Sequence, residues 1–140
     1  MTDKYFVDTN ILLYAHDRAA GLEHERARQL IEHLWTTGEG VVSTQVLQEL
    51  CVNLRRKLAR PLRVEDVRHL IEDYLAWEVV TNDPASIVQA LEIEDRYKIS
   101  YWDALVVQAA WRSGASVLYS EACPKANTYG ALRVVKPLRS

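Results

Sequence analysis

Short β-prone runs alternate along this chain with longer stretches whose apolar residues recur at three- and four-residue steps, and that alternation leaves few ways to fold. Tyr5, Phe6 and Val7 form the first run, which ends on Asp8 and leads through Thr9 and Asn10 into the apolar stretch Ile11 to Ala15. From Leu22 to Trp35, Ala27, Leu30, Ile31 and Leu34 share one helical face, closed by Gly38 and Gly40. Val41 and Val42 make a second run. Ser43 or Thr44 then caps a helix striped by Leu47, Leu50, Cys51, Leu54 and Leu58, which Pro61 stops. A helix from about Val64 to Ala76 turns Val67, Leu70, Ile71, Tyr74 and Leu75 inward, before a third run at Glu78 to Val80. Asp83 as cap and Pro84 at the first helical position open the next helix, which reaches about Tyr97. Ser100 opens the most apolar helix, Tyr101 to Trp111, ended by Ser113 and Gly114, and runs at Val117 to Tyr119 and Leu132 to Val135 complete the pattern. Without a Gly-rich linker, low-complexity segment or internal repeat, this predicts an α/β fold, a short-stranded parallel sheet of about five strands with helices on both faces.

With 140 residues, 49% of them hydrophobic, the chain suffices for one core, so residues 1–140 are expected to form a single domain. The longest apolar run, Ile11 to Ala15, is too short for a membrane span, and Asp3, Lys4 and Asp8 stand where a secretory signal would be apolar. A cytoplasmic protein without membrane contact is expected. Cys51 and Cys123 lack CxxC spacing, and His16, His24, His33 and His69 form no HxxxH pair, which argues against a zinc ribbon or histidine zinc site. A net charge of −2 argues against a protein that coats nucleic acid electrostatically, so any RNA contact is expected from a local basic patch.

In parallel α/β sheets, ligand sites lie beyond the carboxyl ends of the strands. Asp8 stands there after the first strand, although an Asp at that junction is often only a helix cap. Asp103 falls in a helix that reads as buried nearly all round and needs a partner, or forms a capping box with Ser100. Glu49 taken alone reads as a solvated edge residue. Together, by their places after the first strand and early in two helices, the three carboxylates are expected to meet at one sheet edge and would offer only oxygen, which suits Mg²⁺ or Mn²⁺ better than zinc or copper. Such an ion activates water for phosphodiester hydrolysis.

The segments Phe6 to Leu12, Gln48-Glu49-Leu50 and Trp102 to Val106 closely resemble the three acidic motifs of PIN-domain nucleases, and with the closing Leu132 to Pro137 the resemblance covers essentially the whole chain. It is most similar to the VapC-type toxins. The resemblance implies a PIN-like three-layer α/β/α fold with the first strand central, a Mg²⁺- or Mn²⁺-dependent ribonuclease activity, homodimerisation, and inhibition by a cognate antitoxin. By position, Asp8, Glu49 and Asp103 would be the catalytic metal ligands, and Asn10 would orient a ligand or contact substrate. Relatives usually read Ser-Glu-Asp after the fourth strand, whereas this chain reads Ser120-Glu121-Ala122. Glu121 would then substitute as a ligand beside Ser120 on the substrate side, or the site would keep only its strongest metal position, or the chain would be a weakened nuclease or an inactive PIN-like binding module. Arg55, Arg56, Lys57, Arg60 and Arg63 form the dense basic cluster, with Arg55 and Arg56 the candidate phosphate-guiding residues. A haloacid-dehalogenase-like phosphotransferase fits less well, because Asn10 stands where that chemistry needs a second Asp.

Overall fold

The computed structural model describes residues 3–122 and 128–138. Strands β1 (Tyr5–Val7), β2 (Gly40–Ser43), β3 (Glu78–Val80), β4 (Val117–Tyr119), β5 (Thr128–Tyr129) and β6 (Leu132–Val135) form one sheet in the order β3-β2-β1-β4-β6-β5. Every pairing is parallel except β5 with β6. The helices are α1 (Thr9–His16), α2 (Leu22–Thr37), α3 (Thr44–Arg56), α4 (Val64–Tyr74), α5 (Pro84–Tyr97) and α6 (Tyr101–Ser113), with one 3₁₀ turn at Arg18–Ala20. They fall into two packed groups: α1 against α2 and α3 with α4 on α3, and α5 against α6. This is the three-layer arrangement predicted, with six strands rather than about five. Two residues of β5 are too few to show a period-2 pattern.

The short strands are apolar because both faces are covered, as parallel sheets require. Phe6, Val7, Val42 and Leu118 are fully buried between the helical layers. Local chemistry sets the helix ends. Ser43 Oγ accepts from the Val46 N–H at 3.2 Å to start α3, and Asp83 and Ser86 form a reciprocal capping box on α5. Gly38 and Gly114 end α2 and α6 in the left-handed conformation.

Four local readings are corrected by packing. Gly40 does not close α2; it is the first residue of β2, under the Trp77 ring. The α3 helix ends at Arg56, several residues before Pro61, and Leu58 is buried from the connection that follows. Leu75 follows the last residue of α4 and is exposed rather than inward. The α6 helix is not buried all round, because Trp102 in its first turn faces solvent while Ala104 to Ala110 are covered. Cys123 lies outside the described residues.

The topology also positions the site. The chain runs from β1 outward to β2 and β3 on one side and to β4 and β6 on the other, so the carboxyl end of β1 is the switch point at which an α/β sheet opens a crevice. Asp8 is the residue that follows β1.

Candidate metal centre

Three separate elements deliver the acidic side chains. Asp8 is the N-cap of α1, Glu49 lies in the second turn of α3 and Asp103 in the first turn of α6. All three line one cavity of about 180 Å³ beyond the end of β1. Thr9, Asn10 and Ala122 share its lining.

Asp8 is held at both oxygens. Its Oδ1 accepts from the Thr9 N–H at 2.7 Å and its Oδ2 from the Ser120 hydroxyl at 2.8 Å. Thr9 also reaches across the site, its hydroxyl donating to Glu49 Oε1 at 3.0 Å. Ser120 is fully buried and accepts in turn from the Ala122 N–H. Burial pushes the Asp8 carboxyl up to about 6; the Ser120 and Thr9 hydrogen bonds ease that rise, and the charges of Glu49 and Asp103 add to it. Asp103 is also raised, chiefly by burial, with a compensating contribution from Ser100. Ser100 caps α6 by accepting from the Asp103 N–H, while the Asp103 side chain lines the cavity, so cap and site coexist.

A carboxylate that is desolvated and faces two others is the environment a divalent cation relieves, and the acidic donors are all oxygen, the set a hard cation takes. Among the described residues, no three His, Cys, Asp or Glu side chains are grouped as ligands of a single ion. Mg²⁺ characteristically keeps several waters and takes only one or two carboxylates directly, so it does not require all three side chains of this lining to contact it at once.

Other residues singled out in the sequence sit differently. Glu121 is outside this lining: its Oε2 accepts from the Leu138 N–H at 3.3 Å, and its charge acts on Tyr14. Arg55 and Arg56 are exposed and line no part of the cavity; Arg55 folds back on the Cys51 carbonyl. The basic group at the site is Lys57. Gln45, Glu49, Asn53 and Lys57 all line the cavity, a polar ladder at four-residue steps along α3 and its C-cap. That spacing was visible in the sequence, beneath the stronger apolar stripe. Trp102 completes the rim.

A larger cavity, about 690 Å³, lies between the end of α1, α2 and the segment 58–62. Its lining holds Asp17 as the single carboxylate, so the smaller acidic cavity, not the larger one, carries the candidate chemistry.

Comparison with known proteins gives one family match, the PIN domain, over residues 5–121. Similar solved structures include Mycobacterium tuberculosis VapC20, described as a sarcin-ricin loop cleaving toxin, with 21% identity, 93% of this chain and 99% of that chain covered, and a TM-score of 0.70. A toxin–antitoxin complex from Klebsiella pneumoniae contains a chain with 16% identity, 96% and 98% coverage and a TM-score of 0.69. VapBC2 from Rickettsia felis, bound to a DNA fragment from its promoter, gives 18% identity, 94% and 96% coverage and a TM-score of 0.65. Among curated protein sequences none matches the chain significantly.

Proposed function

The chain belongs to the PIN domain family, and from that premise we propose that it is a divalent-metal-dependent endoribonuclease acting as the toxin of a toxin–antitoxin pair. The observation that carries this reading is the convergence of Asp8, Glu49 and Asp103 on one cavity at the switch point of the sheet, with Asp8 desolvated and opposed by like charge. Asp8, Glu49 and Asp103 would hold Mg²⁺ or Mn²⁺. When bound, the ion supplies Lewis acidity toward a phosphate oxygen and a lowered pKa for the attacking water.

The chain's own groups do the rest. Ser120 and Thr9 fix the rotamer of Asp8, and Thr9 couples Asp8 to Glu49, so the acidic groups are oriented before substrate arrives. Asn10 presents an uncharged polar group to the same space, and Lys57 offers the positive charge that a phosphate needs beside three carboxylates. An antitoxin partner and RNA substrate are supported by the relatives, among them a loop-cleaving toxin and toxin–antitoxin complexes. Homodimerisation and a cytoplasmic location complete the proposal; among the described residues no helix is long and apolar enough to cross a membrane.

Purified protein is expected to cleave single-stranded RNA with Mg²⁺ or Mn²⁺ and to stop in excess chelator. Cleavage undiminished by chelator, with no restoration by added metal, counts against the metal centre.

One observation favours a second reading, a weakened or inactive binding module: Ala122 lines the cavity at the position where the resemblance to PIN-domain nucleases implies a carboxylate. Ala122→Asp is expected to lower the Mg²⁺ concentration for half-maximal cleavage roughly five- to tenfold, the effect of one added charge contact of about 1 kcal/mol. Glu121→Gln is expected to leave that concentration unchanged, because the Glu121 carboxylate is turned to the Leu138 N–H. Titrating cleavage against Mg²⁺ for the three proteins checks both; a shift with Glu121→Gln alone moves the fourth acidic position to Glu121.

A further inference from the structure

We propose that Trp102 is the stacking platform for an unpaired nucleobase adjoining the scissile phosphate, an inference that rests on the ribonuclease reading above. Trp102 is 62% exposed, yet it precedes Asp103 and lines the same cavity as the three carboxylates. A single exposed aromatic is ordinary on a protein surface; what sets Trp102 apart from the other exposed apolar residues is that it lines the cavity holding Asp8, Glu49 and Asp103.

Its place is prepared. Gln45 on α3 donates its amide N–H to the Trp102 carbonyl at 3.4 Å, tying the first turn of α6 to the helix that carries Glu49. The Tyr101 ring meets the indole edge-on, with centroids 5.3 Å apart. Side chain and backbone are thus both braced while an indole surface stays open. From α3, Asn53 and Lys57 line the same cavity, so a base on Trp102 and a phosphate near Lys57 belong to one strand crossing the acidic centre.

Charge makes such a platform useful. A chain of net charge −2 with three carboxylates in its site attracts RNA weakly by electrostatics alone. Stacking on an aromatic ring needs no charge and works with every base, because every base has a π-face. It does require the base to be unstacked from its neighbours, which restricts the substrate to single strands, loops and bulges.

The Asp8→Asn protein allows binding to be measured without cleavage, using a fluorescein-labelled single-stranded RNA and the same RNA carrying 2-aminopurine. Trp102→Ala in that background is expected to weaken binding about ten- to a hundredfold, while Trp102→Tyr keeps most of the affinity. Fluorescence of 2-aminopurine is expected to be quenched on binding the Trp102 protein and spared by the Ala variant, and a duplex of the same sequence is expected to bind poorly. The exposed position of Trp102 leaves the fold intact, which circular dichroism checks. Equal affinity of Trp102→Ala, absence of quenching, equal binding of the duplex, or no RNA binding at all would each overturn the proposal. So would a changed sedimentation mass with unchanged RNA affinity, which would make Trp102 a contact between copies. Stacking as expected, with no cleavage by the wild-type protein in Mg²⁺, would leave the platform standing and remove the nuclease reading instead.

Discussion

In excess chelator near pH 7.5, the Asp8→Asn protein is expected to resist urea better than the wild type, and with Mg²⁺ restored it is expected to cleave RNA at least about a hundredfold more slowly. Both effects come from one carboxylate. Asp8 is raised from an ordinary value of 3.8 to about 6 by burial first and by Glu49 and Asp103. Its native form therefore binds a proton that the unfolded chain has already released. Stability from this group is fully present below about pH 4, falls as pH rises through about 6, and stays lost above it. The difference of roughly two pH units corresponds to about 3 kcal/mol withheld from the metal-free fold at neutral pH.

Asparagine removes that penalty and keeps most of the contacts. Its Oδ1 can accept from the Thr9 N–H and its amide can donate to Ser120 Oγ, which retains a second lone pair for the Ala122 N–H. The Ser120 hydroxyl hydrogen, which Asp8 Oδ2 accepts in the native protein, loses that acceptor, and this offsets part of the gain. The gain should vanish near pH 4, where both proteins carry a neutral side chain at position 8. Mg²⁺ should reverse the order in part, stabilising the wild type by binding only the native state and leaving Asp8→Asn nearly unmoved. The loss of cleavage follows because transition-state charge neutralisation by a metal is worth several kcal/mol, and each 1.36 kcal/mol is tenfold in rate. Urea curves at the two pH values, with and without Mg²⁺, separate the contributions. Wild-type cleavage by Asp8→Asn removes Asp8 from the reaction, and equal stability at neutral pH removes the account of its burial.

The same residue shows how far the sequence could be read. Asp8 is legible at the sheet edge because a β-prone run ends on it, and Asp103 because it is a charge in an apolar helix; both signals lie in neighbours along the chain. The β-strands at 78–80, 117–119 and 132–135 were legible for the same reason. What escaped was set by residues far apart. Ser120 reaches Asp8 across 112 positions, and Gln45 reaches the Trp102 carbonyl across 57, so neither was readable as support for the site. Arg55, Arg56 and Lys57 stand side by side in one basic run, and charge alone does not tell them apart; helical phase turns Lys57, not Arg55 or Arg56, to the cavity. Trp102 read as core because composition cannot tell which side of an apolar helix is left uncovered.

Gly40 is the strongest case of distant packing, and Gly40→Ala is expected to cost about 2 kcal/mol or more. A methyl group there would stand 2.6, 2.7 and 2.9 Å from three carbons of the Trp77 ring, so something must move. The ring has little room, since Trp35 and Tyr74 flank it with centroids at 5.5 and 5.3 Å, and Tyr74 is itself held by His16 through a 2.9 Å hydrogen bond. The strand is equally confined, because β2 is paired on both sides, with β1 and with β3. Trp77→Leu should destabilise on its own by opening a cavity, but the double variant should recover more than 1 kcal/mol of the summed loss, since the smaller side chain admits the new methyl. Strictly additive losses in urea would mean that the Trp77 ring is not what meets the methyl. A functional cost should accompany the structural one. Ser43 at the end of β2 caps α3, and Glu49 rides on that helix, so any displacement of β2 is transmitted to the acidic cavity. Misplacement by about 1 Å can cost a hundredfold in rate. Gly40→Ala assayed below its unfolding temperature is therefore expected to cleave RNA more slowly per folded molecule, and Trp77→Leu is expected to restore part of that rate along with the stability.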